Sequence, residues 1–95
     1  MQREFEILNK LGLHARPAAE FVQCAIKFQS KITICKEEER YSAASILEVL
    51  SANLDCGARV VIEAEGPDEQ KALDEIEALL LRFRDEEGGS SEAAS

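Results

Sequence analysis

A chain of 95 residues supports one hydrophobic core and excludes two full domains. Hydrophobic residues make up 45% of it, yet it holds only four Phe, one Tyr and no Trp, so the core is expected to be aliphatic. A formal net charge of -8 argues against a nucleic-acid backbone as ligand, because binding phosphates by charge needs a surplus of Lys and Arg on one face.

Cys24, Cys35 and Cys56 form an odd set without CxxC spacing, which suggests neither a disulfide framework nor a zinc motif. Reduced thiols in a cytoplasm fit best. No apolar run approaches the ~20 residues that span a bilayer, and MQREFEILNK carries no apolar signal stretch. The chain is therefore expected to be neither exported nor inserted in a membrane.

In chain order, residues 3 to 8 alternate in polarity through Glu4, Phe5, Glu6 and Ile7, the period of a strand with one buried face. Ala18, Phe21, Val22, Ala25 and Ile26 follow at helical spacing and predict a first helix over roughly 15 to 27. A second strand is expected over 31 to 36. The polar run Glu37, Glu38, Glu39 before Arg40 and Tyr41 then reads as a hairpin into a short third strand, through a turn that lacks the usual glycine.

Ser45 to Leu50 predicts a short helix, because Ser45-Ile46-Leu47-Glu48 matches the S-x-x-E capping box; Asn53 suits a left-handed residue near its end. Arg59 to Glu65 alternates as a fourth strand. Gly66-Pro67-Asp68 opens a last helix with the stripe Ala72, Leu73, Ile76, Leu79, Leu80 and Phe83. The order is βαββαβα, and one sheet covered on one side by three helices buries every apolar face. Residues 1 to 87 are expected to form the domain, and 88 to 95, GGSSEAAS, a disordered tail.

Chemistry, if present, lies in Leu11-Gly12-Leu13-His14-Ala15-Arg16-Pro17-Ala18-Ala19, which holds the only histidine just before a predicted helix. First-turn NH groups have no carbonyl partner within a helix, and the dipole places partial positive charge there. A phosphoryl group on His14 could accept from the NH groups of Ala15 and Arg16, while the Arg16 guanidinium neutralises its oxygens. Spacing alone leaves a second reading open, in which His14 only caps a helix or decorates a loop. A metal site finds no ligand spacing, and a thiol enzyme built on the cysteines lacks a paired base.

The string NKLGLHARPAAEF resembles the active-site signature of the HPr family, the phosphocarriers of the bacterial phosphoenolpyruvate-dependent phosphotransferase system. The likeness extends over roughly residues 3 to 84, through Gly12, Gly57, Gly66, Ser45 and VVIEAEGPDEQKAL. It implies an α+β fold, an open-faced two-layer βαββαβα sandwich with a four-stranded antiparallel sheet and three helices on one face. It also implies that Enzyme I phosphorylates Nδ1 of His14 with help from Arg16, and that the phosphohistidine donates to an Enzyme IIA protein or domain. Such a carrier is not itself an enzyme, uses no cofactor or metal, and is expected to be a cytoplasmic monomer. Ser45 stands where the family has a regulatory site for an HPr kinase/phosphorylase, although capping explains this serine without a kinase.

The resemblance places partner docking on Ile46, Leu47 and Leu50, and a six-residue helix cannot bury all three. Around them Gln23, Ile26, Ala44 and Glu48 stand where many sugar-system members carry basic residues. Such rim charges set association rate and partner choice more than chemistry. The NKLG-HARPA pattern also resembles the nitrogen-related branch, whose carrier regulates instead of feeding sugar uptake. A third reading is a binding module that docks through the second helix with phosphorylation as its switch.

Overall fold

The computed structural model describes the backbone of residues 1–94 and the side chains of residues 1–86. Its elements are β1 (Gln2–Glu6), α1 (Ala15–Ala25), β2 (Lys31–Lys36), β3 (Glu39–Ser42), α2 (Ile46–Ser51), β4 (Arg59–Glu65) and α3 (Glu69–Ala94). The expected tail over 88 to 95 lies outside the residues whose side chains are described.

All strand pairs are antiparallel, in the order β1-β4-β2-β3. Alternation along the strands turns Phe5, Ile32, Ile34, Val60, Ile62 and Ala64 inward. The helices cover that face with Ala18, Phe21 and Ala25 from α1, Val49 and Ala52 from α2, and Leu73, Ile76, Leu80 and Phe83 from α3. The opposite face carries Glu4, Val61, Glu63, Cys35 and Arg40. This is the expected open-faced α+β sandwich.

Two boundaries differ from the periodicity. The first helix ends at Ala25, and Ile26 is 60% exposed although it continues the apolar spacing. The last helix begins at Glu69, because the Asp68 carboxylate turns away from its own helix to bind the loop before β2. It accepts from the backbone NH groups of Gln29 at 2.9 Å and Ser30 at 3.0 Å and from the Ser30 hydroxyl at 2.5 Å. Those bonds, led by the Ser30 hydroxyl, hold the Asp68 carboxyl below the ordinary aspartate range.

The β2–β3 hairpin closes over two residues, with Lys36 opposite Glu39. Glu37 takes φ 56°, the positive angle that a two-residue hairpin turn requires at its first central position. Asn53 likewise adopts φ 51° just after α2, as its residue type predicts.

Candidate functional site

The segment before α1 is fixed by its own backbone before any ligand arrives. Gly12 NH donates to the Asn9 carbonyl at 3.0 Å, and the buried Asn9 side chain donates through Nδ2 to the Gly12 carbonyl at 2.6 Å. Leu13, also buried, donates its NH to the Leu54 carbonyl at 2.8 Å. Gly12 has φ +65°, and a Cβ there would meet the Leu54 carbonyl oxygen and approach Asp55 Cα to 2.8 Å. Only glycine satisfies both demands.

This clamp delivers His14 to the N-cap of α1 with extended backbone, φ -80° and ψ -167°. The His14 carbonyl accepts from Ala18 NH at 2.8 Å and starts the helix, while its side chain makes no capping hydrogen bond. Both ring nitrogens are thereby left for other partners. His14, Ala15 and Arg16 are exposed, whereas Pro17 and Ala18 turn into the core. The first-turn NH groups of Ala15 and Arg16 have no carbonyl before them in the helix, so they face outward as anion donors. Among the described residues Arg16 has no ion-pair partner, so its guanidinium is available to an incoming anion.

Across from α1 stands α2, which packs against it. Its single fully buried side chain is Val49; Ile46, Leu47 and Leu50 are exposed by 38%, 74% and 38%. The structure thus leaves all three of these apolar residues on the surface.

The capping box at Ser45 is only half formed. Ser45 Oγ accepts from Glu48 NH at 3.3 Å, as the motif predicts. The Glu48 carboxylate does not return to Ser45; it accepts from Ser42 NH at 2.9 Å, because Ser45 NH is already directed to the Ser42 carbonyl at 3.3 Å. At the other end, Lys36 Nζ donates to the carbonyls of Ala52 at 3.0 Å and Asn53 at 2.8 Å. A basic group thus satisfies the carbonyls that a helix C-terminus leaves open. Sequence periodicity contains no sign of this contact, since Lys36 belongs to a strand 16 residues earlier than Ala52.

The cysteines lie apart, Cys24 on α1, Cys35 on β2 and Cys56 in the loop before β4, and are free: Cys24 and Cys35 are half-buried, Cys56 exposed. Burial pushes the Cys24 and Cys35 thiols up, away from the reactive thiolate. Among the described residues no group of three His, Cys, Asp or Glu side chains could hold a metal ion, and no helix is long and apolar enough to cross a membrane.

An exposed histidine at a helix start, with first-turn NH groups and an arginine beside it, is an arrangement chemically suited to a tetrahedral anion. The chain matches the family model described as "PTS HPr component phosphorylation site" over residues 1–81. It is 43% identical over 81 residues to the phosphocarrier protein HPr of Treponema pallidum, covering 85% of this chain and 92% of that one. It is 40% identical over 80 residues to the phosphocarrier protein NPr of Shewanella violacea, covering 84% and 88%. The solved structure of the histidine-containing phosphocarrier protein of Mycoplasma superposes with a TM-score of 0.83 at 32% identity, covering 88% of this chain and 96% of that one. The chain belongs to the HPr family of phosphotransferase-system phosphocarriers.

Proposed function

We propose that this protein accepts a phosphoryl group from phospho-Enzyme I on Nδ1 of His14 and passes it to an Enzyme IIA protein or domain. The observation that carries the reading is His14 at the α1 N-cap, exposed and without a side-chain capping bond, beside the free NH groups of Ala15 and Arg16. The Nδ1 lone pair forms the new N–P bond as the bond from phosphorus to the donor breaks, and the ring proton stays on Nε2. The loose transition state spreads charge over the phosphoryl oxygens, where the two NH groups and the Arg16 guanidinium stabilise it. The chain itself turns over nothing: it is a covalent intermediate without cofactor, working as a cytoplasmic monomer.

The exposed Ile46, Leu47 and Leu50 form the partner-docking surface in this reading. Ser45 is a candidate for an HPr kinase/phosphorylase, its hydroxyl already occupied as acceptor for Glu48 NH. A nitrogen-related regulatory role is the second reading, favoured by the absence of basic residues at Gln23, Ile26, Ala44 and Glu48.

The test is incubation of the purified chain with phosphoenolpyruvate and Enzyme I of the same organism. The reading predicts an acid-labile phosphoryl adduct that is absent in His14→Ala and chases onto an added Enzyme IIA. A chain that stays unmodified under these conditions contradicts it.

A further inference from the structure

Arg16 and Glu20 are the only charged residues of α1, and they stand four positions apart. Opposite charges at that spacing are neighbours on a helix surface and attract each other. Here they do not pair. Among the described residues Arg16 has no ion-pair partner, whereas Glu20 Oε2 is directed to Arg82 Nη2 of α3 at 3.6 Å.

The groove that Glu20 crosses runs between α1 and α3, and a second ion pair, Lys27 with Glu75 at 3.4 Å, spans it past the C-terminal end of α1. Arg82 Nε is also 3.4 Å from Glu86, one turn along α3, so its guanidinium faces two carboxylates. The Arg82 and Glu20 side chains are 53% and 35% exposed, and an isolated pair so open to solvent adds little to stability. Its consequence is where the one acidic side chain of α1 points. A Glu20 carboxylate turned back to Arg16 would take the guanidinium donors that phosphoryl oxygens need and set a negative charge beside the arriving anion.

Resting on the phosphocarrier reading above, we propose that Arg82 is a positioning residue for phosphoryl transfer: by engaging Glu20 it keeps that carboxylate off Arg16 and leaves the Arg16 guanidinium open to the phosphoryl group. Arg82 acts through Glu20 and not on the phosphoryl oxygens themselves.

The experiment takes two readouts on the full-length chain at low salt. One is the Arg16 Nε–H resonance of the unphosphorylated protein by nitrogen-15 NMR; the other is the single-turnover rate of phosphorylation by saturating phospho-Enzyme I of the same organism. In Arg82→Gln the Arg16 resonance shifts and its proton exchanges more slowly, as the guanidinium gains a carboxylate partner, and the rate falls about twofold with KM unchanged. Arg82→Lys, which keeps the charge, retains the parent rate. Glu20→Gln changes the rate little in the parent background and restores it in Arg82→Gln, a coupling that two independent, additive charge effects do not produce. Glu75→Gln, which breaks the other pair in the groove, alters neither readout, and the Arg82→Gln effect fades as salt rises. An Arg16 resonance that is unshifted in Arg82→Gln, or a Glu20→Gln effect of equal size in both backgrounds, overturns the proposal. Failure of the parent chain to become phosphorylated overturns the carrier reading instead, and the Arg16 resonance, which needs no donor, still decides whether Arg82 holds Glu20 away.

Discussion

The backbone NH of Leu13 donates to the Leu54 carbonyl at 2.8 Å, so the residue immediately before His14 is anchored to the loop between α2 and β4. The segment that carries His14 and the loop that follows α2 are therefore parts of one hydrogen-bonded unit. Gly12 permits the approach through its φ of +65° and its missing Cβ. Gly12→Ala forces an L-residue into the left-handed region against backbone atoms that cannot rotate away, and is expected to cost about 2 kcal/mol or more. Thermal unfolding followed by circular dichroism reads that loss. The phosphorylation rate of the still-folded fraction should fall as well, since Leu13 and His14 move together.

Two neighbours on α2 separate docking from stability. Val49 is fully buried and Leu47 is 74% exposed. Val49→Ala leaves a cavity and is expected to destabilise by about 2 kcal/mol. Leu47→Ala is expected to shift stability by no more than about 0.5 kcal/mol while raising KM for the donor. Urea titration together with transfer kinetics distinguishes the two; a Leu47→Ala protein with normal transfer would remove α2 from the docking surface.

Lys36 ties the hairpin to the end of α2 by donating to the Ala52 and Asn53 carbonyls. Lys36→Met keeps the apolar stem and removes the charged donor. The expected cost is about 1–2 kcal/mol, with faster amide exchange concentrated in residues 46–53. Exchange that quickens evenly across the chain would show that the contact has no local role.

Acid should weaken the fold through three carboxylates whose pKa values are lowered in the native state. Glu63 is held down chiefly by the Arg40 guanidinium, Asp68 by the Ser30 hydroxyl, and Glu69 by the N-terminal amine. A folded pKa below the unfolded one means the unfolded chain binds more protons in that range, so stability rises with pH there. The contribution is complete above the unfolded carboxylate values, about 4, and is lost as pH falls through the lowered native ones. Urea midpoints measured downward from pH 6 should therefore decline below about pH 4, and Asp68→Asn should make that decline shallower.

Strand and helix periodicity made most of the fold legible, because core positions such as Ile32, Ile34, Ile62, Leu73 and Ile76 repeat at the intervals their elements impose. Asn53 was readable as a left-handed residue from its type. Ile26 misled the pattern: it continues the α1 spacing but lies past the helix end, where apolar residues need not face inward. The capping box predicted the Ser45–Glu48 bond and missed the Glu48–Ser42 bond, since the motif cannot register that Ser45 NH is already engaged. Lys36 at the end of α2, Asn9 on Gly12 and Asp68 on the α1–β2 loop join residues whose pairing depends on tertiary packing. No local spacing announces such contacts. At the site itself the histidine, the arginine and the following proline were evident in one short string, and the structure added the clamp that presents them.

The most direct measurement is the location and chemistry of the phosphoryl group after incubation with phosphoenolpyruvate and Enzyme I, read by mass spectrometry of peptides kept at neutral to alkaline pH, with nitrogen-15 NMR of the imidazole. The account predicts one phosphoryl group per chain, on Nδ1 of His14, lost on brief acid treatment. A modification that survives acid, resides on another residue, or fails to form on the folded chain would contradict it.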